Sequence, residues 1–267
     1  MTTTDRMPPY IPSSKVRWGL PDAAVALGVF IGVQLLGIAV ARLSGIRLAD
    51  TFAVGLFNFV NGVLSYGAFA LVLVVASRRR GLGTLAADFG LQFKPVDILL
   101  GIGGALLGKL AGVFFGILAV IITGTSPEHG NLALSPDSLW IILNAIVIAS
   151  FVAPLVEELV FRGLILRAVR NLVLRRNVTE QPRSERVRTR AVVISILVSS
   201  AAFAALHLAQ ADSPAMLIVL GGSTFAVGII HAALAIRTGR LGPSIISHAL
   251  YNGSSVLLAI LFASGTA

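Results

Sequence analysis

A chain of 267 residues with 56% apolar and only 12% charged residues, at a mean hydropathy of +0.89, is not a soluble domain, for which the charged share is about 25%. The absence of cysteine excludes disulfides, thiolate chemistry and cysteine metal sites. The formal net charge of +9 falls between apolar runs, so it reads as cytoplasmic loop charge and not as affinity for nucleic acid.

Residues 1–21 carry Pro8, Pro9, Pro12 and Pro21 and read as a disordered cytoplasmic tail, with no signal peptide. A bilayer is crossed by about 20 apolar residues. Seven runs are long enough, near 22–42, 52–77, 96–123, 138–162, 191–209, 214–236 and 241–262. The expected architecture is all-α, a polytopic transmembrane helical bundle of about seven spans forming one domain over 22–267. Placing the N-terminus inside puts 18 of the 21 basic residues on that side, including nine arginines from Arg162 to Arg190 in a basic cytoplasmic helical hairpin. That orientation leaves the C-terminus external. The high Ala, Gly and Arg content suits a bacterial plasma membrane. Gly104 and Gly108 form a GxxxG spacing suited to close helix contact. No internal repeat is visible, which weighs against a secondary transporter.

The chemistry concentrates in a few polar residues inside apolar runs. Ionised groups there are costly, about 2.5–3.5 kcal/mol each on insertion scales, and default to function. Glu158 and Arg162 are four apart with the acid first, so they can pair on one helical face. Glu157 points about 100° away from Glu158 and is left free to act as a base. Phe203 and His207 share a face, as do His248 and Asn252. A hairpin turning near Pro182 sets Glu157 beside His207 and Arg162 level with Phe203, provided both helices project beyond the membrane. His248 and Asn252 can donate to a developing oxyanion, or act as metal ligand and supporting shell. His231 sits mid-span with no partner at helical spacing and reads as a packing residue. His129 reads as a solvated residue of an outer loop.

The ordered set Glu157-Glu158-x-x-x-Arg162, Phe203-x-x-x-His207, Phe225-x-x-Gly228, and Thr238-Gly239-x-Leu241 leading to His248-x-x-x-Asn252 resembles the CPBP family. This is the CAAX protease and bacteriocin-processing group, also called Abi, which includes type II CAAX prenyl endopeptidases. The resemblance covers about 138–262. It implies an intramembrane endopeptidase acting on a membrane-associated or CAAX-like protein substrate. In it Glu157 and His207 activate a water, His248 and Asn252 stabilise the oxyanion, and Glu158, Arg162 and Phe203 support the site. Either no cofactor is required or zinc is held by Glu157, His207 and His248; no HExxH motif marks such a site. The partners expected are a peptide or protein substrate and the lipid bilayer, with no nucleic acid; the oligomeric state is unknown. The rival readings are an inactive membrane scaffold or immunity protein and a proton-coupled transporter.

Overall fold

A computed structural model describes residues 15–46, 50–126, 138–176 and 185–264. Among these, α1 is Leu20–Leu43, α2 Thr51–Arg80, α3 the short Leu85–Phe89 and α4 Val96–Thr123. A continuous helix, α5, follows over 138–176. Then come α6 (Glu185–Leu208), α7 (Pro214–Thr238) and α8 (Gly242–Ser264). Seven helices are long and apolar enough to cross a membrane, so the chain is an integral membrane protein. The spans fall where the apolar runs lie. Pro182 and His129 lie outside the described residues.

The bundle is built inside out relative to a soluble one. On α4, Leu99, Leu110 and Ile121 are 72%, 66% and 73% exposed, while Gly101, Gly104 and Gly108 are buried. Lipid tails solvate the large side chains, so packing falls to small residues that let backbones approach. A Cβ on Gly104 would lie 2.6 Å from Ser247 Oγ, and one on Gly108 3.0 Å from the Tyr251 ring, both on α8; one on Gly101 would lie 2.5 Å from the Ile246 side chain. The GxxxG spacing therefore seats α4 on α8. α4 packs on α7 and α8, α5 packs on α2 and α8, and α6 packs on α7 and on the end of α5. α8 thus stands between α4 and α5.

Residues 15–19, within the stretch expected as a tail, pack against the bundle, and residues 1–14 lie outside the described residues. Val16 and Trp18 are buried, the backbone N–H groups of Arg17 and Trp18 bond to Arg80 O, and Trp18 Nε1 donates to Asp88 at 2.7 Å. Asp88 also accepts from Ser77 Oγ and from Leu82 N. An indole buries large apolar area and offers one donor, and the carboxylate on α3 receives it. This ties residues 15–19 to the ends of α2 and α3. A second polar tie closes the same end of the bundle, where Arg240 grips Asp97 at the start of α4.

Candidate active site

α5 departs from regular α-helix where the glutamates sit. It is π-helical over Ile141–Val152, α-helical over Ala153–Glu158, π-helical again over Leu159–Ile165, and α-helical over Leu166–Arg176. Wide turns of this kind gather at functional sites. Pro154 lies at the first junction. The Ala153 N–H bonds five residues back, to Ile148 O. The next acceptor in that register is Ala149 O, and Pro154 has no N–H to give it. Asn252 Nδ2 supplies the missing donor at 2.8 Å. A carbonyl away from water needs a partner, so a proline on α5 and an asparagine on α8 form one unit.

Glu158 is fully buried and is the hub of the site. Its Oε1 accepts from Arg162 Nη1 at 2.8 Å, from His231 Nδ1 at 3.0 Å and from His248 Nδ1 at 3.1 Å. Arg162, also fully buried, donates its other Nη to Gly228 O at 3.2 Å and stacks 4.5 Å from the Phe203 ring centroid. Gly228 is needed there because a Cβ would press on Ser200 at 2.8 Å. A buried ion pair is tolerable only when further hydrogen bonds satisfy it. Here three helices, α5, α7 and α8, donate to a single carboxylate oxygen.

The hub fixes the histidine tautomers. A carboxylate oxygen only accepts, so both rings carry hydrogen on Nδ1. His231 Nε2 is then an acceptor for Ser247 Oγ at 3.0 Å. His248 Nε2 is left bare in the neutral ring and faces Glu157 Oε2 at 3.8 Å. That spacing is too long for a direct hydrogen bond; a single water can donate to both atoms. The other Glu157 oxygen accepts from Tyr66 Oη, on α2, at 3.0 Å. Neighbouring carboxylates therefore have different duties. Glu158 is held through Oε1 by three donors, and Glu157 keeps one oxygen facing His248.

The residues expected from the sequence are brought together unevenly. Glu158 pairs with Arg162 as the spacing required, and Arg162 is level with Phe203. Both flanking helices run on past Arg162, to Arg176 on one side and from Glu185 on the other. His207 makes no hydrogen bond to Glu157. Its Nδ1 donates to Phe203 O on its own helix at 2.8 Å, and its ring lies 4.5 Å from that of Phe203. The Phe203 ring also meets His248 edge-on at 5.6 Å. Asn252 spends an amide hydrogen on the α5 backbone. His231 is more than packing: it bonds across two helices. Its partners Glu158 and Ser247 lie 73 and 16 residues away, so no helical spacing could reveal them. Tyr66 escaped notice for the same reason, 91 residues from Glu157.

Glu158, His231 and His248 offer ligand atoms within 4.8 Å of one another. The zinc set expected from the sequence was instead Glu157, His207 and His248, and His207 is turned to its own backbone. The observed group fits a metal poorly. Its shared oxygen is held by a guanidinium, and both Nδ1 atoms spend their hydrogens on that oxygen. A divalent ion would need those lone pairs bare and would sit beside the Arg162 cation.

Residues 138–254 match the family described as Type II CAAX prenyl endopeptidase Rce1-like. No curated protein and no solved structure matches the chain. The matched segment holds α5, α6, α7 and the first half of α8, with every site residue above except Tyr66.

Proposed function

Since residues 138–254 belong to the Rce1-like type II CAAX prenyl endopeptidase family, we propose that the protein hydrolyses a peptide bond in a membrane-associated, CAAX-like substrate by a metal-independent route. The observation that carries this reading is the pair formed by Glu157 Oε2 and the bare Nε2 of His248, 3.8 Å apart. A water donating to both has its oxygen lone pairs directed away from them, toward a carbonyl. As that oxygen attacks, one of the two bases takes its proton. His248 is suited to the task because Glu158 stabilises the imidazolium that forms, as a buried carboxylate does behind a catalytic histidine. The imidazolium Nε2–H can then protonate the leaving amine. Tyr66 pins the far oxygen of Glu157, so the free one keeps its aim. His207, half-buried and with Nε2 bare in its neutral form, lines the approach with Phe203. With the basic connections cytoplasmic, the His248 end of α8 lies toward the cytoplasm, about 9 Å deep at 1.5 Å per residue.

The test is cleavage of a quenched fluorescent peptide library by the purified protein in detergent. Cleavage is expected in the wild type, in the presence of a zinc chelator, and not in Glu157→Gln. Activity abolished by the chelator and restored by zinc would overturn the metal-independent route. Cleavage retained in Glu157→Gln would remove Glu157 from the chemistry.

A further inference from the structure

His231 is a buried imidazole that the chemistry above does not use. It lies on α7, 1% exposed, and an ionisable side chain inside a span is rare and defaults to function. Its two nitrogens reach two other helices. Nδ1 donates to Glu158 Oε1 on α5, and Nε2 accepts from Ser247 Oγ on α8, each at 3.0 Å. Ser247 has little freedom of its own. It is fully buried, and the α4 backbone comes so close that a Cβ on Gly104 would lie 2.6 Å from its Oγ. The approach of α4 thus keeps the hydroxyl on His231.

Ser247 directly precedes His248. Two neighbouring residues of α8 therefore reach the same carboxylate oxygen, His248 directly at 3.1 Å and Ser247 through His231. Successive helical residues point about 100° apart, so the two links hold α8 from different directions. The His248 ring also meets Phe203 edge-on at 5.6 Å and His231 at 5.2 Å. Glu158 Oε1 is crowded as well. A carboxylate oxygen has about two lone-pair sites, and Oε1 serves three donors while Oε2 has no hydrogen-bond partner among the described residues. The His231 hydrogen bond competes with that of His248.

Resting on the protease reading above, we infer that His231 is a positioning residue for His248: anchored by Ser247, it shares Glu158 Oε1 with His248 and so sets the length and direction of the hydrogen bond that aims His248 Nε2 at Glu157. Glu158 then steadies the His248 imidazolium without holding it so firmly that the Nε2 hydrogen is withheld from the leaving amine. His231 itself touches neither the water nor the peptide.

The experiment uses the full-length protein in detergent, the best-cleaved library peptide and three variants. His231→Leu and His231→Asn are alike in size, but only Asn keeps a donor at the place of Nδ1; Ser247→Ala removes the anchor. His231→Leu is expected to lower kcat up to about a hundredfold, the cost of misplacing a reacting group by about 1 Å, with KM held. His231→Asn should restore most of that kcat, and Ser247→Ala should lose less than His231→Leu. A loss confined to KM, or equal kcat losses in His231→Leu and His231→Asn, overturns the inference, because a ring that only fills space does not distinguish a donor from a methyl group. If His231→Leu fails to purify, Ser247→Ala decides: a lower kcat at constant KM supports the anchor, and an unchanged kcat overturns it. A second arm is independent of cleavage. NMR of the protein isotopically labelled at its four histidines reads the His248 Nδ1–H proton. That proton should move downfield in His231→Leu, where Oε1 has one donor fewer, and stay near its wild-type position in His231→Asn. Those shifts without any cleavage by wild type would uphold the hold of His231 on His248 and sink the protease reading. No shift in His231→Leu overturns the inference whatever the cleavage result.

Discussion

Glu157 and Glu158 are neighbours in the chain with opposite surroundings. Around Glu158 every element converges: a guanidinium and two imidazoles share one oxygen, and the residue has no exposed surface. Around Glu157 a single tyrosine holds one oxygen, the other faces a bare ring nitrogen, and the side chain keeps 12% of its surface. Three donors on one oxygen fix Glu158 in place, whereas the lightly held Glu157 can meet a reacting group. A step of 100° on the helix is enough to divide the two duties.

Four substitutions break or sharpen that contrast. Glu157→Gln should have the largest effect, lowering peptide cleavage about 10²- to 10⁴-fold, the range for loss of a group positioned for proton transfer, while thermal unfolding in detergent stays close to wild type. Arg162→Met should do the reverse. It leaves Glu158 as a buried carboxylate without its cation, at a cost of about 3–5 kcal/mol, and should appear as a much lower unfolding temperature or a failure to purify. A Glu157→Gln variant as unstable as Arg162→Met would erase the contrast.

Asn252→Ala comes next, since it strands the partly buried Ala149 carbonyl at about 1–3 kcal/mol. Here the double variant is decisive. Pro154→Ala returns an N–H to α5, which can take back the carbonyl, so Pro154→Ala/Asn252→Ala should recover stability and much of the activity. Recovered stability with activity still absent would show that Asn252 also contacts the reacting atoms. Tyr66→Phe should be smallest, about 0.5–1.5 kcal/mol for one hydrogen bond. It should reduce kcat about tenfold or less with KM held, because the phenol aims Glu157 and does not touch the substrate. A change confined to KM would place Tyr66 in substrate binding instead.

Much of the site was legible because it is written in helical periodicity. Glu158 with Arg162, Phe203 with His207 and His248 with Asn252 are each four apart, and the shared face follows from backbone geometry alone. The level pairing of Arg162 with Phe203 followed from the hairpin between them. What escaped was every contact made across helices at long sequence distance: His231 to Glu158, Tyr66 to Glu157, Asn252 to Ala149. The packing of residues 15–19 escaped for a related reason. Pro8, Pro9 and Pro12 signal disorder locally, but Trp18 is fixed by Asp88, 70 residues away.

The sequence by itself determined that this is a helical membrane protein, where its seven spans run, and which polar residues must be accounted for inside them. Those properties follow from transfer energies and from 3.6 residues per turn, which act along a single segment. Only the tertiary structure decided which carboxylate is locked and which is free, since that depends on whose hydrogens arrive from other helices. The same lateral packing gives Asn252 a partner in the carbonyl that Pro154 leaves bare. A chain records its own dihedral preferences, but the neighbours of a helix face are set by how small residues such as Gly101 and Gly104 let whole helices close on one another.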